Sequence, residues 1–267
     1  MDYGAGVPHI IEHGELEAWR NKTIGVLHGR NLVIACDWAR GGDDNVILVR
    51  DGNAITDICT CREKDTTKAA DWAATTIRDL GYGSKNMMII GDATGVGGPI
   101  NDQLRRRGIK IVDFNFGAKS TDPRFENEGS RIWHLVAQMI RDSKIVPPPY
   151  HQQDVKRLFE QLANRQEKVG ENGKIGMESK KDMQARGVSS PDIADAMTMA
   201  FGQPDVLAHS YLPYDDSGRQ EISRQHGWAY TSEPDDESYK DRRTWGSGGR
   251  GEDSGGLSGF GGMNSDW

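Results

Sequence analysis

Cysteine is scarce in this chain of 267 residues: there are three, Cys36, Cys59 and Cys61. They are too few and too clustered for a disulfide framework. Their C-T-C step is not a zinc spacing either, so all three read as reduced thiols in or near strands. No apolar run approaches the roughly 20 residues that a membrane span needs. Residues 1–30 hold no apolar leader core. Together these absences predict a soluble, cytosolic chain with no membrane partner. A basic excess is also missing: the formal charge is −7. The imbalance is local, because Asp205–Trp267 carries 12 acidic and 6 basic residues against 28 and 27 before it. The near-neutral body does not advertise nucleic-acid binding, although phosphate contacts need only a local patch. No G-x-x-x-x-G-K-S/T phosphate loop occurs; the glycine-rich run Gly91–Pro99 has no lysine and follows a different logic. The seven histidines show no ligand spacing to one another.

What is present is a clear alternation of strand-like and helix-like segments. Leu32–Trp38, Asn45–Arg50 and Ala54–Cys61 read as strands, separated by G-G-D-D and by Asp51-Gly52-Asn53, where the Asp-Gly step suits a hairpin. A helix follows over Thr66–Leu80, with Ala69, Ala73, Ile77 and Leu80 at helical spacing. Asn86–Gly91 is the fourth strand. A helix then ends at Arg105-Arg106-Arg107-Gly108, and Ile109–Phe114 is the fifth strand. The rest is mostly helical: Glu126–Ser143, Asp154–Asn164, and Pro191 to Phe201 with Ser190 as its N-cap. Between the last two lie a polar hairpin, Gln166–Glu178, and the short basic stretch Lys180–Arg186. The order predicts an α/β fold: a mixed five-stranded sheet, three strands antiparallel and then parallel, with helices on both faces. Residues 1–30, with one short helix around Ile11–Asn21, read as a lead-in or linker. Residues 204–267 hold eleven glycines, many acids and no periodic apolar face. They read as a largely disordered acidic tail.

Aspartates end two of the apolar strands. Asp37 closes Leu32–Cys36 and Asp92 closes Met87–Gly91. Asp192 and Asp195 open the last helix and, three apart, share one face. A strand-end aspartate is ordinarily a turn residue, and an acid in a first helical turn answers the helix dipole without further purpose. Taken together they differ. If the first and fourth strands are parallel neighbours, their ends put Asp37 beside Asp92, and a helix packed on the sheet can aim Asp192 and Asp195 at the same point. Convergent carboxylates repel unless a cation sits among them, and hard oxygen donors suit Mg²⁺ or Mn²⁺. This chemistry points to phosphodiester hydrolysis.

The stretches V-I-A-C-D-W-A-R-G-G-D-D-N-V-I, M-M-I-I-G-D-A-T-G-V-G-G-P-I-N-D-Q-L and E-S-K-K-D-M-Q-A-R-G-V-S-S-P-D-I-A-D-A-M-T-M-A-F resemble the nuclease domain of tailed-phage terminase large subunits, over roughly residues 31–203. The resemblance implies an RNase H-like fold close to RuvC-type resolvases. It implies a DNA endonuclease that cuts concatemeric viral DNA during packaging with two Mg²⁺ or Mn²⁺ ions. Asp37 matches the first-strand ligand and Asp92 the fourth-strand acid. Asp192 and Asp195 match positions that supply ligands in different branches, Asp192 ranking first. The hairpin Gln166–Glu178 matches one that admits DNA beside the active site. The implied partners are double-stranded DNA, a packaging ATPase, a small terminase subunit and the portal, in the host cytoplasm. The family's ATPase motif is missing, which implies a nuclease piece or a motor on another chain.

Asp43, in the turn after the first motif, reads as a hairpin residue rather than a ligand. Lys119, Lys180 and Lys181 are candidate DNA contacts, and Arg105–Arg107 read as a solvated helix end. Three other functions stay open on the residues alone. One is a RuvC-like junction resolvase or transposase-type nuclease. Another is an actin-like ATPase fold, whose phosphate loops also follow the first and fourth strands. The third is a non-catalytic module that docks on a portal.

Overall fold

The structure, a computed structural model, describes residues 7–28, 32–83, 86–170 and 172–202. The acidic tail expected over 204–267 lies outside them. Five strands form one sheet in the order β3-β2-β1-β4-β5. β1 (Leu32–Asp37), β2 (Asn45–Asp51) and β3 (Ala54–Cys61) pair antiparallel, the first two joined by the loop over 38–44 and the last two by a tight turn at Gly52-Asn53. Helix α2 (Thr66–Asp79) returns the chain so that β4 (Met87–Asp92) runs parallel to β1, and α3 (Gly97–Arg106) does the same for β5 (Val112–Phe114). The expected mixed sheet is therefore present. β5 is shorter than the expected Ile109–Phe114, and the Ile111 carbonyl just before it accepts from Arg105 Nη2 at 3.0 Å.

Strand alternation divides the core in two. Ile34, Cys36, Ile47 and Val49 point to one face, where Ala69, Ala70, Ala73, Ala74 and Ile77 of α2 and Ile100 and Leu104 of α3 cover them. Val33, Ala35, Val46, Leu48 and Ile90 point to the other. There they meet α4 (Glu128–Arg141), α5 (Gln153–Asn164) and α7 (Asp192–Gly202). By the same alternation Asp37 and Asp92 end their strands on the α7 side.

Every residue of α7 is buried. Its start departs from the expected Ser190 cap: Gln161 Oε1 of α5 accepts from the backbone N–H of Ile193 and Ala194, at 2.9 and 3.0 Å. A neighbouring helix thus supplies the acceptor that a local side chain usually gives, and the Ser190 hydroxyl is left for other use. Between α5 and α7 lie a hairpin, β6 (Glu167–Val169) with β7 (Ile175–Met177), and the short α6 (Lys180–Ala185).

The lead-in expected over residues 1–30 is corrected for its described part. Helix α1 (His13–Arg20) joins the main core: Ile10, Ile11, Leu16 and Trp19 are all buried there. Fully burying such side chains contributes about 1.5–3 kcal/mol each. The Trp19 indole also donates to the Ile145 carbonyl at 2.7 Å, and Ile10 N to the Arg165 carbonyl at 2.9 Å. The sequence reading missed this because one short helix shows little periodicity by itself.

Candidate active site

The parallel register pairs Cys36 with Gly91, so the next residues, Asp37 and Asp92, emerge side by side at one end of the sheet. Two features hold these strand ends together. Asn101 of α3, fully buried, accepts from the Trp38 indole at 2.8 Å and donates towards the Gly91 and Asp92 carbonyls, both at 3.3 Å. Gly97 brings α3 against β4 so closely that a Cβ there would lie 2.0 Å from the Asp92 carbonyl oxygen. Only glycine permits that approach.

Helix α7 completes the cluster. Asp37, Asp92, Asp192 and Asp195 line one open cavity of about 370 Å³. All four are buried, Asp37 to 1 % exposure. Three of them are oriented by donors from the surrounding fold. The Trp133 indole donates to Asp195 Oδ1 at 2.9 Å. Asp192 accepts from Asp44 N at 3.1 Å and from the Ser190 hydroxyl. Asp92 accepts from Thr94 N at 3.0 Å. Asp37 differs, because its Oδ2 is buried with no hydrogen-bond partner.

Lys180 stands among the acids. Its ammonium lies 3.2 Å from Asp195 Oδ2, 3.4 Å from Asp192 Oδ1 and 3.6 Å from Asp37 Oδ2. This is ion-pair reach for Asp37, though too long for a hydrogen bond. Burial drives the Asp37 carboxyl well above its ordinary range, and the charges of Asp195, Asp192 and Asp92 add to it, while Lys180 opposes. Burial likewise raises Asp92 and Asp192, the latter helped by Asp43 and opposed by Lys180. Burial alone would lower the Lys180 ammonium, but the charges of Asp37, Asp195 and Asp192 outweigh it and hold it above its usual value.

The structure thus brings together the four acids singled out in the sequence. Lys180, a candidate DNA contact, sends its ammonium towards Asp195, Asp192 and Asp37. Lys119 and Lys181 are exposed and do not line the cavity. Asp43, expected as a turn residue, lines it as well. Of the basic run, Arg105 pairs with Asp113 and Asp102, and Arg107 with Asp71. Arg186 pairs with Glu178 at 2.6 Å. Sequence reasoning missed Trp133, Ser190 as a carboxylate donor, and Arg165, which also lines the cavity. Ser190 stood two residues before Asp192 and could have been suspected. Trp133 and Arg165 carry no local signal.

The donor set suits a hard divalent cation: four carboxylates and one buried carboxylate oxygen without a donor. Among the described residues, however, no three acidic, histidine or cysteine groups enclose an ion as they stand. The Lys180 ammonium fills that position, supplying the positive charge the cluster requires.

No family profile and no curated protein sequence matches the chain. Solved structures do. The nuclease domain of the large terminase subunit gp2 of bacterial virus Sf6 superposes with a TM-score of 0.59 at 24 % identity, covering 73 % of this chain and 99 % of that one. A mutant of the same domain with manganese gives 0.60 at 23 %, covering 73 % and 100 %. The large terminase nuclease from thermophilic phage G20c with bound magnesium gives 0.51 at 18 %, covering 73 % and 99 %. The fold of this chain is that of the phage large-terminase nuclease domains.

Proposed function

We propose that this chain is a divalent-metal-dependent DNA endonuclease that cuts concatemeric viral DNA during genome packaging. The observation that carries the reading is the acid cluster at the paired ends of β1 and β4. There Asp37 offers a buried oxygen with no donor while Lys180 supplies the charge. Structures sharing the fold support it, since the Sf6 and G20c domains are described as nucleases with manganese or magnesium.

Asp37, Asp92, Asp192 and Asp195 would hold Mg²⁺ or Mn²⁺, two ions in our reading. Such ions activate a water for attack and stabilise the leaving 3′ oxygen. The fold's part is orientation. Trp133 and the Thr94 amide fix Asp195 and Asp92 by one oxygen each, while Ser190 and the Asp44 amide hold one oxygen of Asp192 apiece, and the lone pairs left over on all three carboxylates face a cation. Lys180 keeps the cluster from flying apart before metal arrives. Its side chain is 43 % exposed, so it has a way out to solvent when ions displace it. Met177 of β7 lines the cavity mouth, which supports a role for the hairpin in admitting the double-stranded DNA. Lys119 and Lys181 would contact DNA backbone outside the pocket. A packaging ATPase, a small terminase subunit and the portal are the partners this role calls for, and the host cytoplasm is where it would be played. No helix among the described residues is long and apolar enough to cross a membrane.

Purified protein with Mn²⁺ or Mg²⁺ should nick and then linearise plasmid with little sequence preference, and EDTA should stop it. Intact plasmid across a broad range of metals and pH would sink the proposal.

A further inference from the structure

We infer that Arg165 binds a phosphate of the DNA strand entering the acid pocket, its guanidinium taking a non-bridging oxygen. The inference rests on the endonuclease reading above and adds a residue to it.

Arg165 lies between α5 and β6 and is 3 % exposed. One nitrogen, Nη1, donates to Met183 Sδ at 2.8 Å, a weak acceptor. Its Nε has no partner. The guanidinium rests over the Trp133 ring at 5.4 Å. Among the described residues no carboxylate stands within ion-pair reach of it, although it lines the same cavity as five of them. The contrast with Arg50 is instructive. That side chain is equally buried but is used by the fold, with Nε on the Gly52 carbonyl at 2.5 Å and Nη1 on the Ala200 carbonyl at 2.7 Å.

A buried guanidinium without an anion is costly, and a fold keeps one where an anion will arrive. Three facts identify that anion. The cavity is open, so the anion comes from solvent. The four clustered acids are engaged with Lys180 or with donors from Trp133, Ser190, Thr94 and the Asp44 amide, and Asp43, which also lines the pocket, makes no ion pair with Arg165. The planar fork of arginine matches phosphate oxygens, which a DNA strand brings to this point. The backbone is held for the task, because the Arg165 carbonyl accepts from Ile10 N at 2.9 Å.

A rival role exists. Through Trp133, which holds Asp195 at 2.9 Å, Arg165 could act as a positioning residue for a metal ligand. The two roles differ in what they do to metal binding. The test is single-turnover cleavage of a duplex oligonucleotide at saturating Mn²⁺, paired with Mn²⁺ titration by calorimetry without DNA, for wild type, R165Q and R165K. Phosphate binding predicts cleavage slower by about 100-fold in R165Q, as when one preorganised donor is removed. It predicts a loss of about tenfold in R165K, which keeps the charge but not the fork. Mn²⁺ should bind R165Q as tightly as wild type or tighter, since a cation has left the pocket. A wild-type rate in either variant overturns the inference. So does Mn²⁺ binding weakened in step with cleavage, which assigns Arg165 to orienting Asp195. If R165Q does not fold, R165K decides alone. A wild-type protein that cleaves nothing sinks the endonuclease reading itself, and this inference with it.

Discussion

Asp37 and Asp44 bracket one turn at one end of the sheet, and both are buried carboxylates. The fold treats them in opposite ways. Asp44 is held on both oxygens: Arg62 Nε donates to Oδ1 at 2.9 Å and Arg157 Nη2 to Oδ2, and Arg157 is braced in turn by Asp154 at 3.0 Å. Burial alone would raise the Asp44 carboxyl, but the hydrogen bonds from Arg157 and Arg62 outweigh it and hold it below its usual range. Asp37 keeps one oxygen bare, and its carboxyl is driven up. A folded chain satisfies a buried charge that serves its architecture. The charge left unsatisfied a few residues away is the one with work outside the fold.

The largest expected effect comes from breaking the Asp37 side. Asp37→Asn should lower Mn²⁺-dependent cleavage by about a thousandfold or more. The same variant should melt higher than wild type without metal at pH 8. The sign follows from linkage: a carboxyl whose pKa is raised on folding stabilises the fold while protonated and loses that as pH rises. The gain should therefore shrink as the pH falls towards about 4, the ordinary carboxylate value. A melting curve that drops at every pH would mean that Asp37 is held as firmly as Asp44.

Next in size is Lys180→Met. It removes the cation that competes for the acids, so Mn²⁺ should bind about tenfold tighter. The metal-free protein should melt lower, because three buried carboxylates lose their shared counter-charge. Weaker Mn²⁺ binding on calorimetry would show that Lys180 supports the ligands rather than replacing the ion.

The smallest effect on chemistry should come from Asp44→Ala. It removes a fully paired acid, at a cost of about 2 kcal/mol, or a melting point lower by about 4–8 °C. Cleavage at 25 °C should stay within a few-fold of wild type, since the amide that holds Asp192 remains. The destabilisation should fade in acid. A carboxyl lowered by folding stabilises above its unfolded value, about 3.9, and loses this as pH falls through the folded one. Equal losses of cleavage in Asp44→Ala and Asp37→Asn would erase the contrast.

Much of this was legible in the residues. Apolar runs ending in Asp37 and Asp92, turn signals between the first three strands, and helical spacing thereafter pointed to a mixed five-stranded sheet and, with the first and fourth strands as neighbours, to a meeting of four acids. What could not be read was any contact made at long sequence distance. Lys180 read as one of three candidate DNA contacts, because nothing local tells a lysine which way to point. Trp133 lies 62 residues from the Asp195 it holds, and Gln161 lies 32 from the helix start that it caps. The part played by residues 8–20 was hidden for the same reason: Ile10, Ile11, Leu16 and Trp19 acquire their core only from α4 and α5.

Helix α7 has no face turned to solvent, and it also carries Asp192 and Asp195. A saturation scan scored by Mn²⁺-dependent cleavage would therefore mark the whole helix as intolerant, one block from Asp192 to Gly202. The two causes would be fused in that signal. Ala196 or Met199 would fail because a core was breached, and Asp195 because a carboxylate of the cluster was lost. Cleavage alone would inflate the apparent size of the candidate site severalfold. Soluble abundance measured beside cleavage separates them: core positions lose both, whereas the acids keep abundance and lose cleavage.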